Sequence, residues 1–199
     1  MITINFNDNG PHDYRSFKEI VQLDNYNDII YIDCIRNSLS SLPELPNSLN
    51  ILYCYNNNLS SLPQLPNSLT VLFCDNNNLF SLPNLPNTLI GLSCNNNNLS
   101  SLPKLPNSLE LLCCPNNSLS SLPELPNSLV TLNYNDNPIY EYIKTYFNGE
   151  TKTYTEYHNN IKRLFVNKIG NWFLDCKYNP KYLYCRKRLM KEYGEFYGE

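Results

Sequence analysis

Cysteine is the residue type in this sequence best able to perform chemistry, and the chain of 199 residues contains eight of them. Five recur every 20 residues, at Cys34, Cys54, Cys74, Cys94 and Cys114. Leucines share this period, so the spacing predicts a ladder of buried, reduced thiols. Cys176 and Cys185 are nine residues apart, which is not a zinc-ligand spacing. We therefore expect neither a disulfide framework nor a metal site.

The other reactive side chains do not form a catalytic motif. His12 and His158 lie outside the repeats, and neither accompanies a partnered nucleophile motif. The acids Asp33, Asp75 and Glu110 fall at different strand positions or several repeats apart. The sequence contains no phosphate-binding glycine loop and no H-E-x-x-H zinc motif. It therefore predicts a protein that is not an enzyme and needs no cofactor.

A repeat of 20 residues supplies the elements that position these side chains. Its pattern is L-x-x-L-x-C-x-x-N-x-L, and six copies begin at Ile29, Leu49, Leu69, Leu89, Leu109 and Leu129. Leu52 and Cys54 are two residues apart, so in a short strand both point into the core while Tyr53 points outward. Stacked copies then predict a solenoid with short parallel strands along one side.

An asparagine and a proline-rich run complete each copy. Asn57 and its counterparts follow the strand where the chain turns, and an amide can both donate to and accept from buried backbone there. The run Leu-Pro-x-Leu-Pro-Asn-Ser/Thr occurs five times, beginning at Leu42, Leu62, Leu82, Leu102 and Leu122. Proline is excluded from helix interiors, so this run predicts irregular, polyproline-like backbone on the convex side with its leucines turned inward.

The run LPELPNSLNILYCYNNNLSSLPQLPNSL resembles the short repeats of leucine-rich effectors that enteric bacteria inject into host cells. It resembles still more closely leucine-rich repeat proteins of giant DNA viruses of amoebae. The resemblance covers residues 29–139 and implies a leucine-rich repeat solenoid. Some of the bacterial effectors have a large ubiquitin-ligase domain with a nucleophilic cysteine. In this sequence Asp175 and Cys176 are the residues most similar to that catalytic site. They lie in a tail of about 60 residues, which is far too short for that domain.

Charge and composition change near Pro138 and divide the chain there. Residues 1–139 contain four basic and eleven acidic residues, whereas residues 140–199 contain eleven basic and seven acidic ones. We therefore expect six leucine-rich repeats over residues 29–139. An N-terminal cap over residues 1–28 should precede them, and a helical C-terminal cap or docking segment over 140–199 should follow.

Local patterns assign elements to both flanks. Residues 2–6 alternate between apolar and polar as in a strand, and residues 14–21 are weakly helical. An Asn-Pro start and an Asn-Gly stop predict a helix from Pro138 to Phe147. Apolar residues at helical spacing predict two more helices, over residues 161–176 and 182–196.

The outward strand positions are the candidate binding residues, because they can vary without disturbing the core. On the predicted concave face we select Tyr53, Tyr55, Phe73, Asp75, Ser93 and Asn95. Three of these are aromatic, and exposed Tyr is enriched at the centres of protein interfaces. This composition favours a binding surface over a catalytic one.

We therefore expect a non-catalytic module that binds an unidentified protein, from the host if the protein is viral. Two alternatives stay open: substrate recognition within a ubiquitin-ligase assembly, and a structural role in a particle. The sequence has neither a secretory signal nor an apolar membrane span, so we expect an intracellular location, the host cytoplasm if viral, and no membrane partner. The basic tail mixes acids among its bases, which does not favour nucleic-acid binding.

Overall fold

Six short parallel strands, one in each repeat, form the spine of the computed structural model, which describes residues 1–6, 9–147 and 151. The strands are β1 (Ile2–Phe6), β2 (Asn9–Tyr14), β3 (Ile29–Asp33), β4 (Ile51–Tyr53), β5 (Val71–Phe73), β6 (Gly91–Ser93), β7 (Leu111–Cys113) and β8 (Thr131–Asn133). The helices are α1 (Phe17–Ile20) and α2 (Pro138–Tyr146), and Tyr26–Asp28 form one 3-10 turn. The strands make one sheet in the order β2-β1-β3-β4-β5-β6-β7-β8.

Adjacent parallel strands pair in register with the repeat. Leu52 lies opposite Leu72, which lies opposite Leu92, and Tyr53 lies opposite Phe73 in the same way. Residues that are 20 apart in sequence therefore become neighbours on adjacent strands, separated by about 4.8 Å. This confirms the predicted solenoid of short parallel strands.

Stacked leucines and the cysteine ladder make up the core. Leu52, Cys54 and Leu59 are 0% exposed, and so are their counterparts in the next three coils. Burial of one leucine side chain contributes roughly 2 kcal/mol, so this stack stabilises the fold. The five ladder cysteines are buried free thiols, as the spacing predicts.

The proline-rich runs contain neither helix nor strand, as expected. Their leucines turn inward to different extents. Leu65 and Leu105 are buried, whereas Leu42 and Leu85 are only half-buried. The prediction that both leucines of every run would enter the core is therefore only partly right.

An asparagine ladder closes the turn after each strand. Asn77 donates through Nδ2 to the carbonyl oxygens of Cys54 and Cys74, at 3.0 and 3.1 Å. Its Oδ1 accepts from the backbone N–H of Leu59 at 2.9 Å. Equivalent bonds are made by Asn57, Asn97, Asn117 and Asn137. Each amide thus joins its own coil to the preceding one, which confirms the role predicted for Asn57.

The asparagine before each ladder position has a different function. Asn56, Asn76, Asn96 and Asn116 have φ between 51° and 55°, in the left-handed region. Asparagine tolerates this conformation better than other residues with a Cβ. Asn76 is exposed, yet replacing it with leucine would add backbone strain of about 1 kcal/mol. Exposure alone therefore underestimates the importance of this position.

The Ser or Thr that ends each proline-rich run belongs to a second ladder of hydrogen bonds between coils. Ser68 donates through Oγ to the carbonyl oxygens of Asn47 and Leu49, at 2.8 and 2.7 Å. Thr88 and Ser108 make the same pair of bonds one and two coils later. Consecutive coils are therefore joined by side-chain bonds on both sides of the strand.

The N-terminal segment covers the first coil with two antiparallel strands. In β1, Ile4 lies opposite Ile32 of β3 on one side and His12 of β2 on the other. The predicted strand over residues 2–6 is confirmed, but the weakly helical stretch forms only the single turn α1. Strand β2 escaped prediction because it contains Gly10 and Pro11, which are tolerated at a sheet edge.

The last repeat leads directly into helix α2, close to the predicted range from Pro138 to Phe147. Asn137 occupies the N-cap position, but its side chain makes no capping bond. The amide instead completes the asparagine ladder, donating to the carbonyl of Cys114 at 2.9 Å. Ile139 and Ile143 bury the inner face of the helix.

The two later helices predicted over residues 161–176 and 182–196 lie outside the described residues. The same holds for most of the predicted C-terminal cap or docking segment. Within the part of the chain that the structure describes, no helix has the length and apolar character needed to cross a membrane.

Burial predicts slow reaction of the ladder thiols. Burial raises the pKa of Cys54, Cys74 and Cys94 well above 9.0, so they should resist alkylation until denaturant is added. Cys113, which is only partly buried, is an internal control and should react before the ladder thiols. Peptide mass spectrometry after timed alkylation measures each site. Native-state labelling of the ladder as fast as that of Cys113 would contradict the register.

The asparagine ladder predicts unequal costs at three neighbouring positions. Asn77→Leu leaves buried backbone groups without partners and should lower the free energy of unfolding by about 1 to 3 kcal/mol or more. Asn76→Leu should cost about 1 kcal/mol through its left-handed backbone. Asn78→Leu changes an exposed side chain and should cost under about 0.5 kcal/mol. Urea denaturation of the three variants checks this order, and equal costs would contradict it.

Candidate interaction surface

Three columns of side chains project from the sheet on the side away from the core. We call them together the strand face. The first column precedes the buried leucine of each strand, the second follows it, and the third follows the ladder cysteine. The columns are Tyr31, Ile51, Val71, Gly91, Leu111 and Thr131; Asp33, Tyr53, Phe73, Ser93, Cys113 and Asn133; and Ile35, Tyr55, Asp75, Asn95, Pro115 and Asn135.

Sequence reasoning identified the second and third columns and missed the first. The strands begin one residue before the buried leucine, so alternation places that first residue on the same face as the second column. The repeat pattern alone would therefore have predicted this first column. The addition matters because the first column includes Tyr31.

Aromatic rings from three consecutive coils contact one another on the strand face. The rings of Tyr53 and Phe73 are stacked, with centroids 5.2 Å apart and planes inclined by 22°. Tyr31 meets Tyr53 edge to face, at 5.6 Å and 83°. All three side chains are half-buried, and so is Tyr55 beside them. We call Tyr31, Tyr53, Tyr55 and Phe73 the aromatic cluster.

The last ring of this cluster lies close to Gly91 of the next coil. A Cβ built on Gly91 would lie 3.9 Å from Cε1 of Phe73. The ring therefore extends over the next coil at ordinary van der Waals range of the glycine. Stacking against Tyr53 restricts the rotation of the Phe73 ring and orients it before any partner binds.

Asp75 is fixed by hydrogen bonds from the next coil. Its Oδ1 accepts from the hydroxyl of Ser93 at 2.6 Å and from the backbone N–H of Asn95 at 2.8 Å. Ser93 is only 8% exposed. Of the predicted contact residues, Ser93 therefore holds Asp75 in place and offers little surface of its own.

Asp33 has a similar local role at the other end of the cluster. Its Oδ1 accepts from the backbone N–H of Ile35 at 3.0 Å, and its Oδ2 accepts a long bond from the Tyr31 hydroxyl at 3.5 Å. Burial first, and the nearby carboxylate of Asp33 second, raise the pKa of Tyr31 to about 12. Tyr31 is thus a neutral hydrogen-bond donor at physiological pH.

Asn95, also a predicted contact residue, has a buried amide oxygen without a hydrogen-bond partner among the described residues. Burial of an unpaired carbonyl costs about 1 to 3 kcal/mol. This cost would be relieved if an incoming donor reached the oxygen.

An exposed phenylalanine outside the strand face went unnoticed in the sequence. Phe80 is 65% exposed at a repeat position where four other coils have serine. The sequence shows this difference directly, because phenylalanine replaces the serine that recurs at this repeat position. It lies apart from the aromatic cluster in the repeat, seven residues after Phe73, and therefore serves as a control position for it.

On the opposite side of the solenoid, shallow grooves lie between adjacent proline-rich runs. Two of them have volumes of about 430 and 520 Å³ and are lined mainly by asparagine, leucine and proline, with isolated charges such as Lys104 and Glu44. Within the described residues, no three His, Cys, Asp or Glu side chains come together in a way that could hold a metal ion.

Solved structures of bacterial effectors contain similar solenoids. A Shigella effector LRR domain is 37% identical in sequence, covers 60% of this chain and 53% of that domain, and gives a TM-score of 0.55. YopM from Yersinia enterocolitica is 36% identical over 65% of this chain and 35% of its own, with a TM-score of 0.48. No family model and no curated protein matches the chain.

The Shigella domain is similar in both sequence and backbone over more than half of this chain. The fold is a leucine-rich repeat solenoid. The match spans 53% of the Shigella domain, so this chain corresponds to about half of that domain's length. The resemblance to giant-virus proteins stays a prediction.

The surroundings of Tyr31 predict a late phenol titration. At about pH 10.5 most exposed tyrosines are ionised, but Tyr31 should keep its proton because its pKa is raised to about 12. Asp33→Asn removes the carboxylate and should lower this pKa, although burial keeps it above 10.0. The ¹³Cζ resonances between about pH 9 and 11, assigned with Tyr31→Phe, report the result. Ionisation of Tyr31 together with the exposed tyrosines would contradict the described packing.

Proposed function

We propose that this protein is a non-catalytic interaction module that binds a protein partner through the aromatic cluster of the strand face. The observation that supports this most directly is the packing of Tyr31, Tyr53 and Phe73 across three coils. Aromatic anchors of this kind supply much of the binding energy at protein interfaces. The cluster does not belong to the core, so its composition is free to serve a partner.

Rigidity makes the cluster suited to binding. The rings of Tyr31, Tyr53 and Phe73 are held by contacts with one another. Little side-chain entropy is then lost when a partner covers them, and this entropy otherwise costs about 0.5 to 1.5 kcal/mol for each mobile side chain. A fixed and half-buried cluster therefore favours a specific interface.

The similarity to a Shigella effector repeat domain supports a partner in another organism's cell. The repeat resemblance to giant-virus proteins points in the same direction, with the host cytoplasm as the site of action. In this proposal the solenoid recognises its partner and performs no chemistry on it.

The proposal predicts that loss of two rings abolishes partner capture. Tyr53→Ala with Phe73→Ala should reduce binding at least thirtyfold, because truncation of a central anchor costs about 2 kcal/mol or more. Crosslinking of the tagged full-length chain in infected or transfected cells, followed by quantitative mass spectrometry, compares the captured proteins. Unchanged circular dichroism should accompany the loss.

Two control variants separate the strand face from other surfaces. Phe80→Ala removes an exposed ring away from the aromatic cluster and should leave capture intact. Cys176→Ser, in the tail, should also leave it intact. Should Cys176→Ser abolish capture while the double aromatic variant binds normally, a mechanism centred on the tail would replace the proposal.

A further inference from the structure

The charged side chains within the three columns of the strand face are all negative, and the exposed Arg36 follows the third column directly in sequence. Asp33 and Asp75 are the charged residues of the three columns, which contain no lysine, arginine or histidine. Residues 29–139 as a whole contain six acidic and two basic residues, for a net charge of −4. The strand face is therefore an aromatic surface in a negative field, and this field attracts cations.

We propose that the aromatic cluster binds a basic, arginine-containing segment of the partner, with guanidinium groups over the rings and paired with Asp33 and Asp75. This rests on the proposed function and specifies the chemistry of its partner. Guanidinium is planar and weakly hydrated, and it can stack on an aromatic ring while donating hydrogen bonds to a carboxylate. An arginine segment thus uses both features of the face together.

The two carboxylates are already oriented for such a partner. Oδ1 of Asp75 is occupied by donors from Ser93 and Asn95, and Oδ1 of Asp33 by the N–H of Ile35. These bonds fix each side chain through Oδ1, and among the described residues Oδ2 of Asp33 accepts in addition only the long bond of 3.5 Å from the Tyr31 hydroxyl. An ionised carboxylate offers about four acceptor sites on its two oxygens, so each retains capacity for a guanidinium. A fixed acceptor loses less entropy on pairing than a mobile one.

Ring geometry favours a cation at the same place. Tyr53 and Phe73 are stacked at 22°, and both side chains are half-buried, so part of each ring remains accessible. A cation within about 6 Å of a ring centroid is attracted to the ring face, and more strongly when water is excluded. Within this cluster of described residues no lysine or arginine already takes that position.

The repeat sets the spacing of the two acids. Asp33 and Asp75 stand two strands apart and in adjacent columns, which separates them by about 12 Å. In an extended peptide, residues four apart lie on one side and span about 13 Å. The pattern Arg-x-x-x-Arg therefore fits the face best.

The probe is the fluorescein-labelled peptide Gly-Arg-Gly-Ser-Gly-Arg-Gly, titrated with full-length protein at low salt. Fluorescence anisotropy should show binding, at least tenfold tighter than for the same peptide with citrulline in place of arginine. Citrulline keeps the shape of arginine and removes its charge. A peptide with glutamate at both positions should not bind.

Two double variants with equal changes in net charge test where the peptide binds. Asp33→Asn with Asp75→Asn keeps the Oδ1 acceptors and should weaken binding about fivefold or more. Glu44→Gln with Glu124→Gln lies on the proline-rich side, where both residues are exposed, and should change binding less than twofold. Tyr53→Ala with Phe73→Ala should weaken it at least tenfold.

Several results would overturn the inference. They are equal binding of the citrulline peptide, equal weakening by both charge variants, or absence of arginine-peptide binding at about 1 mM. The partner capture described above distinguishes this failure from failure of the proposed function. If capture requires Tyr53 and Phe73 but tolerates Asp33→Asn with Asp75→Asn, the interaction module stands and the basic partner does not. If capture tolerates Tyr53→Ala with Phe73→Ala and also Asp33→Asn with Asp75→Asn, the proposed function and the basic partner are both wrong.

Discussion

Buried backbone without a neighbouring helix or sheet is the constraint on which this solenoid depends. Each coil must turn sharply after a strand of three residues, and the turn leaves carbonyl and N–H groups inside the molecule. The side-chain amide of Asn77 forms hydrogen bonds of 2.9 to 3.1 Å with three of these buried backbone groups. An unpaired buried group costs about 1 to 3 kcal/mol, so without the ladder each turn would oppose the leucine core.

Because the inner positions satisfy this constraint, the outer ones are free to vary. Leucine, cysteine and asparagine recur in the core and in the turn, whereas the three columns of the strand face have aromatic residues in the first three coils and none beyond. The core and the turns therefore determine stability, and the strand face is the surface that we propose binds a partner. The strand register that aligns the core also positions side chains on the strand face. It brings Ser93 within hydrogen-bonding distance of Asp75 and stacks Tyr53 on Phe73.

The sequence predicts most of this fold, because one period determines which residues face inward. It predicts the ladder role of Asn77 but not the left-handed backbone of Asn76. Both residues are asparagine, and residue type alone does not show which of them has a positive φ. It misses β2, whose Gly and Pro belong to a sheet edge. At the candidate surface it selects Tyr53 and Phe73, whereas the inward bond of Ser93 depends on a contact with the next coil that no periodicity specifies.

The asparagine bonds all run in the same direction along the solenoid. Asn97 bonds back to Cys74, as Asn77 bonds back to Cys54. The coils are therefore equivalent units with respect to the asparagine ladder. Gain or loss of a whole unit of 20 residues leaves each ladder amide opposite a cysteine carbonyl of the preceding coil, whereas the bond from Ser93 to Asp75 is particular to one pair of coils. Unequal recombination within the gene could therefore lengthen or shorten the binding face in single steps without unfolding the protein.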